Sequence, residues 1–224
     1  MTNVPIRSAS TIIILRNLES TPQVLMGQRG SKAAFMPDKF VFPGGAVDDA
    51  DSNIHLVKPL EKKCHARLKQ ENTGPTPETL VVAAIRELWE ETGLILGASE
   101  PWPDPPQDWS DFAKSGFRPS AENMYFFFRA ITPPGKSRRF DARFFLVDAK
   151  QLSGNLDDFS GASDELSHLQ WVPLNDVRSL NLPFITSIVL GELAGLTSIN
   201  PPKSVPFFKN NDEESLFLRL NHSQ

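Results

Sequence analysis

Cysteine is almost absent from this sequence of 224 residues, since Cys64 is the single one. The sequence therefore cannot form a disulfide within itself, and this favours a reducing compartment. Histidine is also scarce, and the four that are present show no metal-ligand spacing. A small fold held together by disulfides or by a histidine-bound metal does not fit this chain.

Long apolar runs and a strong net charge are missing as well. The longest aliphatic run, at residues 80–85, is far too short to span a bilayer. No basic-then-apolar segment opens the chain and no Ser-Lys-Leu closes it, so we expect a cytoplasmic location. The 23 basic and 27 acidic side chains give a formal net charge of −4. We therefore expect neither nucleic acid nor a membrane as a partner, and any phosphate-binding charge must be local.

What the sequence does contain is a dense acidic cluster at residues 86–94, RELWEETGL. Helical periodicity places Glu87, Glu90 and Glu91 within an arc of about 100° on one helix face. Like charges at this spacing repel, and Arg86 alone does not balance three carboxylates. A divalent cation would balance them, and Mg²⁺ is typically held by carboxylates together with substrate phosphates. The cluster thus indicates metal-assisted phosphate chemistry, with a solvated acidic face on an ordinary helix as the alternative.

An amphipathic helix is predicted to carry the cluster. Thr76 suits the N-cap, Pro77 suits the first helical position, and Gly93 suits a left-handed C-cap. Glu78 is expected to face the apolar side and to have a structural role at the helix start. The apolar stripe opposite the acids consists of Val81, Val82, Ile85, Leu88 and Trp89. This stripe should pack on a sheet.

These residues resemble the box of the Nudix hydrolase family, G-x5-E-x7-R-E-U-x-E-E-x-G-U, where U is aliphatic. The right half matches in full from Glu78 onward. Gly44 and Gly45 resemble the glycines of the left half, but 32 residues separate Gly45 from Glu78 where the family has five. A box split at this point is similar to the coenzyme A diphosphatase branch found in animal peroxisomes. An R-x5-FMP stretch at residues 29–37 and an RRFD stretch at residues 138–141 strengthen that likeness.

The resemblance implies an α/β fold, namely a Nudix α/β/α sandwich around a mixed β-sheet with an insertion inside the box. We expect a single domain over residues 1–224, with the insertion at about 46–76 and a C-terminal extension at about 197–224. The strand patterns agree and predict strands at residues 11–16, 23–28, 39–42, 94–96, 124–131, 143–147, 169–172 and 216–220. A final helix is predicted at residues 183–196.

The resemblance also implies the chemistry, which is hydrolysis of a phosphoanhydride with Mg²⁺ or Mn²⁺. Glu87, Glu90 and Glu91 would be the metal ligands and catalytic residues, with the Gly45 carbonyl as a further ligand. Arg86 would orient the carboxylates through bidentate hydrogen bonds that lysine cannot form.

Further candidates lie outside the acidic helix. Arg29, Gly44, Arg138 and Arg139 are candidate substrate-binding residues, although a solvated turn is the alternative for the last two. Glu165 or the aspartate before it could supply a catalytic base. An exposed loop acid with no role is the alternative there.

The expected substrate is a nucleoside diphosphate linked to another group. Coenzyme A or an acyl-CoA comes first because of the branch resemblance, and ADP-ribose or NADH comes second. A non-catalytic Nudix domain that binds or senses such a ligand is the alternative from another class, but the presence of all three box glutamates favours the enzyme. A homodimer is expected from family habit alone.

Overall fold

The computed structural model describes residues 4–210 and 214–221. The strands within these residues are β1 (Ile6–Arg16), β2 (Gln23–Arg29), β3 (Phe40–Val41), β4 (Gly44–Ala46), β5 (Gly97–Ser99), β6 (Phe117–Pro119), β7 (Met124–Ile131), β8 (Arg139–Asp148), β9 (Leu166–Pro173), β10 (Ser204–Asn210) and β11 (Ser215–Asn221). The α-helices are α1 (Lys62–Lys69), α2 (Pro77–Thr92), α3 (Ser110–Lys114) and α4 (Phe184–Leu193).

Nine of these strands form one mixed sheet. Its main order is β11-β10-β7-β8-β1-β2-β3, while β4 pairs with β1 and β9 pairs with β2. The β1–β8 and β7–β10 pairs are parallel, and the other pairs are antiparallel. Strands β5 and β6 form a separate two-stranded sheet. The prediction of a mixed sheet is confirmed.

Two apolar cores lie on the two faces of the sheet, and β1 contributes to both because successive side chains of a strand point to opposite faces. Ile12 and Ile14 pack with α1 and α2 in one core. Ile13 and Leu15 pack with α4 in the other. Each such aliphatic side chain, fully buried, contributes about 2 kcal/mol to folding. The arrangement is the predicted α/β/α sandwich.

Helix α2 begins and ends where its sequence predicts. The Thr76 hydroxyl accepts a hydrogen bond from the Thr79 N–H at 3.2 Å, and Pro77 occupies the first turn. Gly93 ends the helix at φ 74°, in the left-handed region that glycine adopts without strain. The apolar stripe is buried apart from Trp89, which is partly exposed and packs on Phe112, so the opposite side of α2 is free to carry the acids.

The segment predicted as an insertion, residues 46–76, contains a 3-10 turn at Asp49–Asn53 and helix α1, and α1 shares one core with the C-terminal hairpin β10–β11. Arg67 donates hydrogen bonds to the carbonyls of Pro202 and Lys203 at 2.6 and 2.7 Å. Gln70 donates to the Asn221 carbonyl at 2.7 Å. The insertion and the C-terminal extension are therefore hydrogen-bonded to each other.

The position of Glu78 differs from the prediction. Its side chain is 53% exposed, and its Oε1 accepts a hydrogen bond from Nε2 of His65 in α1 at 2.9 Å. The expectation that it faces the apolar side is wrong, because its carboxylate reaches His65 on helix α1.

Two strand predictions also need correction. Residues 94–96 are not a strand. They are buried side chains that follow α2, and only Ile95 forms an isolated bridge, while strand β5 comes one residue later. Strand β10 was not predicted, because Pro206 interrupts its pattern and its partner β7 is distant in sequence. The strand predicted at residues 216–220 is confirmed as the centre of β11.

Among the described residues, no helix has both the length and the apolar character that crossing a bilayer requires.

Candidate active site

The C-terminal half of α2 carries a partly buried acid cluster. Glu87 and Glu91 are 8% and 1% exposed, whereas the Glu90 side chain remains 43% exposed. The spacing of three and four residues places all three on the side of the helix away from the apolar stripe. The prediction of one acidic face is confirmed, but its members differ strongly in burial.

Arg86 holds this face together. Its Nη1 atom donates to Glu87 Oε1 and to Glu90 Oε2, both at 2.9 Å. Its Nε donates to Asp51 Oδ1 at 2.8 Å, and Nη2 donates to Asp51 Oδ2 at 3.2 Å and to the Ala46 carbonyl at 3.0 Å. All five N–H groups of a guanidinium are thereby used. The bidentate contact predicted for Arg86 is made to Asp51, to which the sequence had assigned no role.

Strand β4 brings backbone against the same carboxylates. Gly45 lies opposite Ser10 in the antiparallel pair with β1, and the Gly44 N–H donates to Glu91 Oε2 at 2.7 Å. A Cβ atom on Gly45 would overlap the Glu87 carboxylate, so glycine lets the strand approach without displacing that side chain. Both box glycines therefore contact the acid cluster.

A loop from the far end of the chain completes the cluster with Glu165. The Ser163 N–H donates to the Glu90 carbonyl at 2.8 Å, and this hydrogen bond fixes the loop on the end of α2. Carboxylate oxygens of Glu87, Glu91 and Glu165 all lie within 4.8 Å of one another. Of the two loop acids considered from the sequence, the structure brings Glu165 to the site.

Burial is the largest cause of the pKa shifts of the three glutamates, and neighbouring charges come after it. Burial raises the pKa of Glu87 to about 7, although the Arg86 guanidinium opposes this shift. Burial and then the charge of Glu87 raise the pKa of Glu91 to about 8. Burial lowers the pKa of Arg86, but its hydrogen bonds to Asp51 and the surrounding carboxylates outweigh this and raise it above the ordinary value. Glu87 and Glu91 are therefore not both fully ionised at neutral pH in the absence of a cation.

The cluster fits a hard divalent cation. It offers carboxylate oxygens close together, and Glu91 Oε1 is buried without a hydrogen-bond partner. Oxygen-rich, partly charged sites of this kind suit Mg²⁺ and Mn²⁺. Glu87, Glu91 and Glu165 are the acids that the structure places together, while Glu90 contacts Arg86 beside them.

The predicted substrate-binding arginines fall in two places. Arg29, at the end of β2, lies close enough to Glu91 for its charge to lower the pKa of that carboxyl. Arg138 is exposed on the β7–β8 turn, and Arg139 is buried, where its Nε donates to the Thr132 carbonyl at 3.0 Å. In the parallel β1–β8 pair Arg139 lies opposite Ile6 of β1, whereas Gly45 lies opposite Ser10 of the same strand. Four residues along β1, or about 13 Å, separate these two positions. The structure does not bring Arg138 and Arg139 to the acids, and their contact with substrate stays a prediction.

Known proteins resemble this chain in sequence and in fold. The NUDIX domain family model matches residues 6–187. Nudix hydrolase 7 of Caenorhabditis elegans is 30% identical over 179 residues, which are 74% of this chain and 51% of that protein. Acyl-coenzyme A diphosphatase NUDT19 of Xenopus laevis is 29% identical over 106 residues, which are 38% of this chain and 28% of that protein. The chain thus spans about half the length of the first relative and less of the second.

A solved structure supports the fold independently. The crystal structure of a NUDIX hydrolase from Alicyclobacillus acidocaldarius superposes with a TM-score of 0.63 at 24% sequence identity. The superposition covers 87% of this chain and 94% of that one. At this identity the likeness concerns the fold.

Proposed function

The chain belongs to the Nudix hydrolase family, and on that premise we propose that it hydrolyses the pyrophosphate linkage of a nucleoside diphosphate that carries a second group. One observation carries the proposal. Carboxylates of Glu87, Glu91 and Glu165 meet beside the backbone of Gly45, and Arg86 donates a hydrogen bond to Glu87. A domain that only bound its ligand would not require this excess of buried acid.

The residues of the site divide into distinct roles. Glu87, Glu91 and the Gly45 carbonyl would hold Mg²⁺ or Mn²⁺, with the exposed oxygen of Glu90 as a further ligand. When bound, such an ion supplies positive charge for the phosphate oxygens. Arg86 keeps the glutamates in place by donating to Glu87 and Glu90 from one nitrogen.

Hydrolysis also needs a base that aligns the attacking water. Glu165 lies on an exposed loop within 4.8 Å of the two buried acids, where it can accept the proton of a water molecule. The water oxygen attacks one phosphorus, and the bridging oxygen leaves with the other phosphate. Arg29, whose charge acts on Glu91, would bind the pyrophosphate.

Within this class we propose coenzyme A or an acyl-CoA as the substrate. The two stretches that resemble the coenzyme A diphosphatase branch are far apart in sequence, but they meet in the fold. Phe35 of the first packs edge-to-face on Phe140 of the second, with ring centroids 5.1 Å apart. A relative named acyl-coenzyme A diphosphatase supports the same substrate class.

Mass spectrometry of the products tests the proposal. The purified chain is incubated with Mg²⁺ or Mn²⁺ and coenzyme A, acetyl-CoA, ADP-ribose or NADH, beside the Glu90→Gln variant and an EDTA control. We expect 3′,5′-ADP and 4′-phosphopantetheine from coenzyme A, and no product with EDTA or with the variant. AMP from ADP-ribose or NADH alone would retain the chemistry and reject coenzyme A. No metal-dependent product from any of them would favour a non-catalytic binding domain.

Two further expectations stay predictions. A cytoplasmic location follows from the sequence alone, and a homodimer follows from family habit alone. Light scattering of the purified chain measures its mass in solution and decides the second.

A further inference from the structure

Asp51 lies at the position where the family pattern has its first glutamate. Five residues, 46–50, separate Gly45 from Asp51, as in the G-x5-E half of the box. Glu78 is separated from Gly45 by 32 residues. When Asp51 is taken as the first acid, the left half of the box is uninterrupted. The extra residues then fall between Asp51 and Arg86, where 34 residues replace the seven of the pattern.

The contacts of the two acids agree with this alignment. Asp51 is 1% exposed, and both of its oxygens accept hydrogen bonds from Arg86. Its Oδ2 also accepts the Asp48 N–H at 2.9 Å and so fixes the 3-10 turn that follows β4. Glu78 makes no contact with Arg86 among the described hydrogen bonds and instead binds His65 at 53% side-chain exposure.

We propose that Asp51 is the positioning residue of the site, in place of Glu78, and that the box insertion begins after it. The proposal rests on the proposed function, because it concerns how Arg86 presents Glu87 and Glu90. Glu78 then belongs to the contact between the insertion helix α1 and α2.

The planarity of the guanidinium explains how Asp51 acts. Asp51 binds the edge of Arg86 formed by Nε and Nη2, and the Ala46 carbonyl takes the remaining hydrogen of Nη2. Because the group is planar, fixing this edge fixes the direction of Nη1 and thereby the two glutamates that Nη1 holds. Without the carboxylate, two buried donors would lose a charged acceptor, and Arg86 could turn toward the acids it now orients.

Neighbouring acids supply matched controls. Asp48 lies in the same turn, but its carboxylate is 3.7 Å from Arg86 and 61% exposed. Glu78 is the acid that the alternative alignment selects. Asp51→Asn, Asp48→Asn and Glu78→Gln each remove one charge without changing the side-chain volume.

The experiment measures kcat and KM for the best substrate of the product screen, Mn²⁺ affinity without substrate by electron paramagnetic resonance, and thermal unfolding. We expect Asp51→Asn to lower kcat and Mn²⁺ affinity by about 10- to 100-fold with little change in KM, as outer-shell partners of metal ligands do. Asp48→Asn and Glu78→Gln should stay close to wild type. A fall in kcat for Glu78→Gln as large as that for Asp51→Asn would overturn the proposal, as would a wild-type kcat for Asp51→Asn.

A double-mutant cycle separates positioning from a merely structural role. If Asp51 acts through Arg86, adding Asp51→Asn to Arg86→Lys should change kcat little further, whereas additive losses would contradict the proposal. Should Asp51→Asn fail to fold, Asp51→Glu keeps the carboxylate and should keep kcat within about tenfold of wild type. A folded but inactive Asp51→Glu would count against the proposal. An inactive wild type would reject the proposed function, while Mn²⁺ binding would still report on Asp51.

Discussion

The acid cluster at the end of α2 contrasts with a second cluster of buried charge, which lies beside the loop that precedes the same helix. There Arg129 makes a bidentate contact with Asp141, at 2.9 and 2.8 Å, and donates to the carbonyls of residues 70 and 71 at 3.0 Å. Arg143 donates to the Asp141 backbone carbonyl and to the side-chain oxygen of Asn72, both at 2.8 Å, and its Nη2 forms an ion pair with Asp141 Oδ2 at 2.9 Å. This cluster has more cations than anions.

The two clusters differ in the uncharged groups that can form hydrogen bonds with their side chains. Arginine has only donors, and carbonyls at the ends of elements can accept from it without adding charge. Carboxylates have only acceptors and need N–H donors, which are largely used up inside helices and sheets. Among the described residues, each cluster leaves one atom buried without a partner, Glu91 Oε1 in the acid cluster and Arg143 Nε in the arginine cluster. The arginines nevertheless reach three backbone carbonyls, whereas the acid cluster obtains one backbone donor, the Gly44 N–H. An excess of buried arginine can therefore be structural, whereas an excess of buried carboxylate calls for a cation.

The ionisation of the two clusters shows the same difference. Burial lowers the pKa of Arg143 to about 10, so it remains charged at neutral pH. Burial and the charge of Glu87 raise the pKa of Glu91 to about 8, so in the metal-free protein it is mostly protonated at neutral pH. Desolvation thus leaves the arginine cluster charged at neutral pH and makes the acid cluster titratable near neutrality.

The largest expected effect comes from removing an acid from the site. Glu91→Gln should lower kcat by about 1,000-fold, because the loss of a metal ligand removes several kcal/mol of transition-state stabilisation. At pH 9 with EDTA its unfolding temperature should not fall below that of wild type, since a buried, poorly compensated charge is gone. Steady-state kinetics and calorimetry measure both quantities. The exposed Glu122→Gln is the control, and a Glu91→Gln kcat within tenfold of wild type would contradict the assignment.

The opposite pattern is expected at the arginine cluster. Arg129→Met should lower the free energy of unfolding by about 3 kcal/mol, because a buried ion pair loses one partner, and leave kcat of the folded enzyme unchanged. Urea unfolding and kcat of the same preparation test this. Lys209→Met, which removes a partly exposed pair with Glu71, should cost less than about 1 kcal/mol. Loss of kcat without loss of stability would show that the two clusters are not functionally separate.

A smaller effect for each pH unit is expected from a change of pH in the absence of metal. The pKa values of Glu87 and Glu91 are raised from 4.5 to about 7 and about 8, so between these limits the folded state binds more protons than the unfolded state. The free energy of unfolding should therefore fall as pH rises through this window, by about 2 kcal/mol per pH unit between pH 5 and 8.5. Saturating Mg²⁺ should flatten the slope, because the ion stabilises the ionised acids. Denaturant titrations with EDTA or Mg²⁺ measure it, and equal slopes in both buffers would contradict the cation site.

Local sequence predicted the elements whose signals lie within a few residues. The caps of α2 at Thr76 and Gly93, the acidic face between them and the bounds of β7 all followed from spacing, since helical and strand periods act over one or two turns. Strand β10 was not predicted, because its stability depends on pairing with β7 and not on its own pattern.

The sequence by itself determined that a capped helix presents Glu87, Glu90 and Glu91 with Arg86 on one face behind two glycines, because these relations are set by helical geometry. Only the tertiary structure decided that Asp51 binds Arg86 and that Glu165 joins the acids. It also decided that Arg139 lies about 13 Å along β1 from the position opposite Gly45. Asp51 and Arg86 are 35 positions apart, and Glu165 is farther still from the helix. Contacts at such separations depend on the paths of the connecting loops and on which element packs against which, and no local period encodes either.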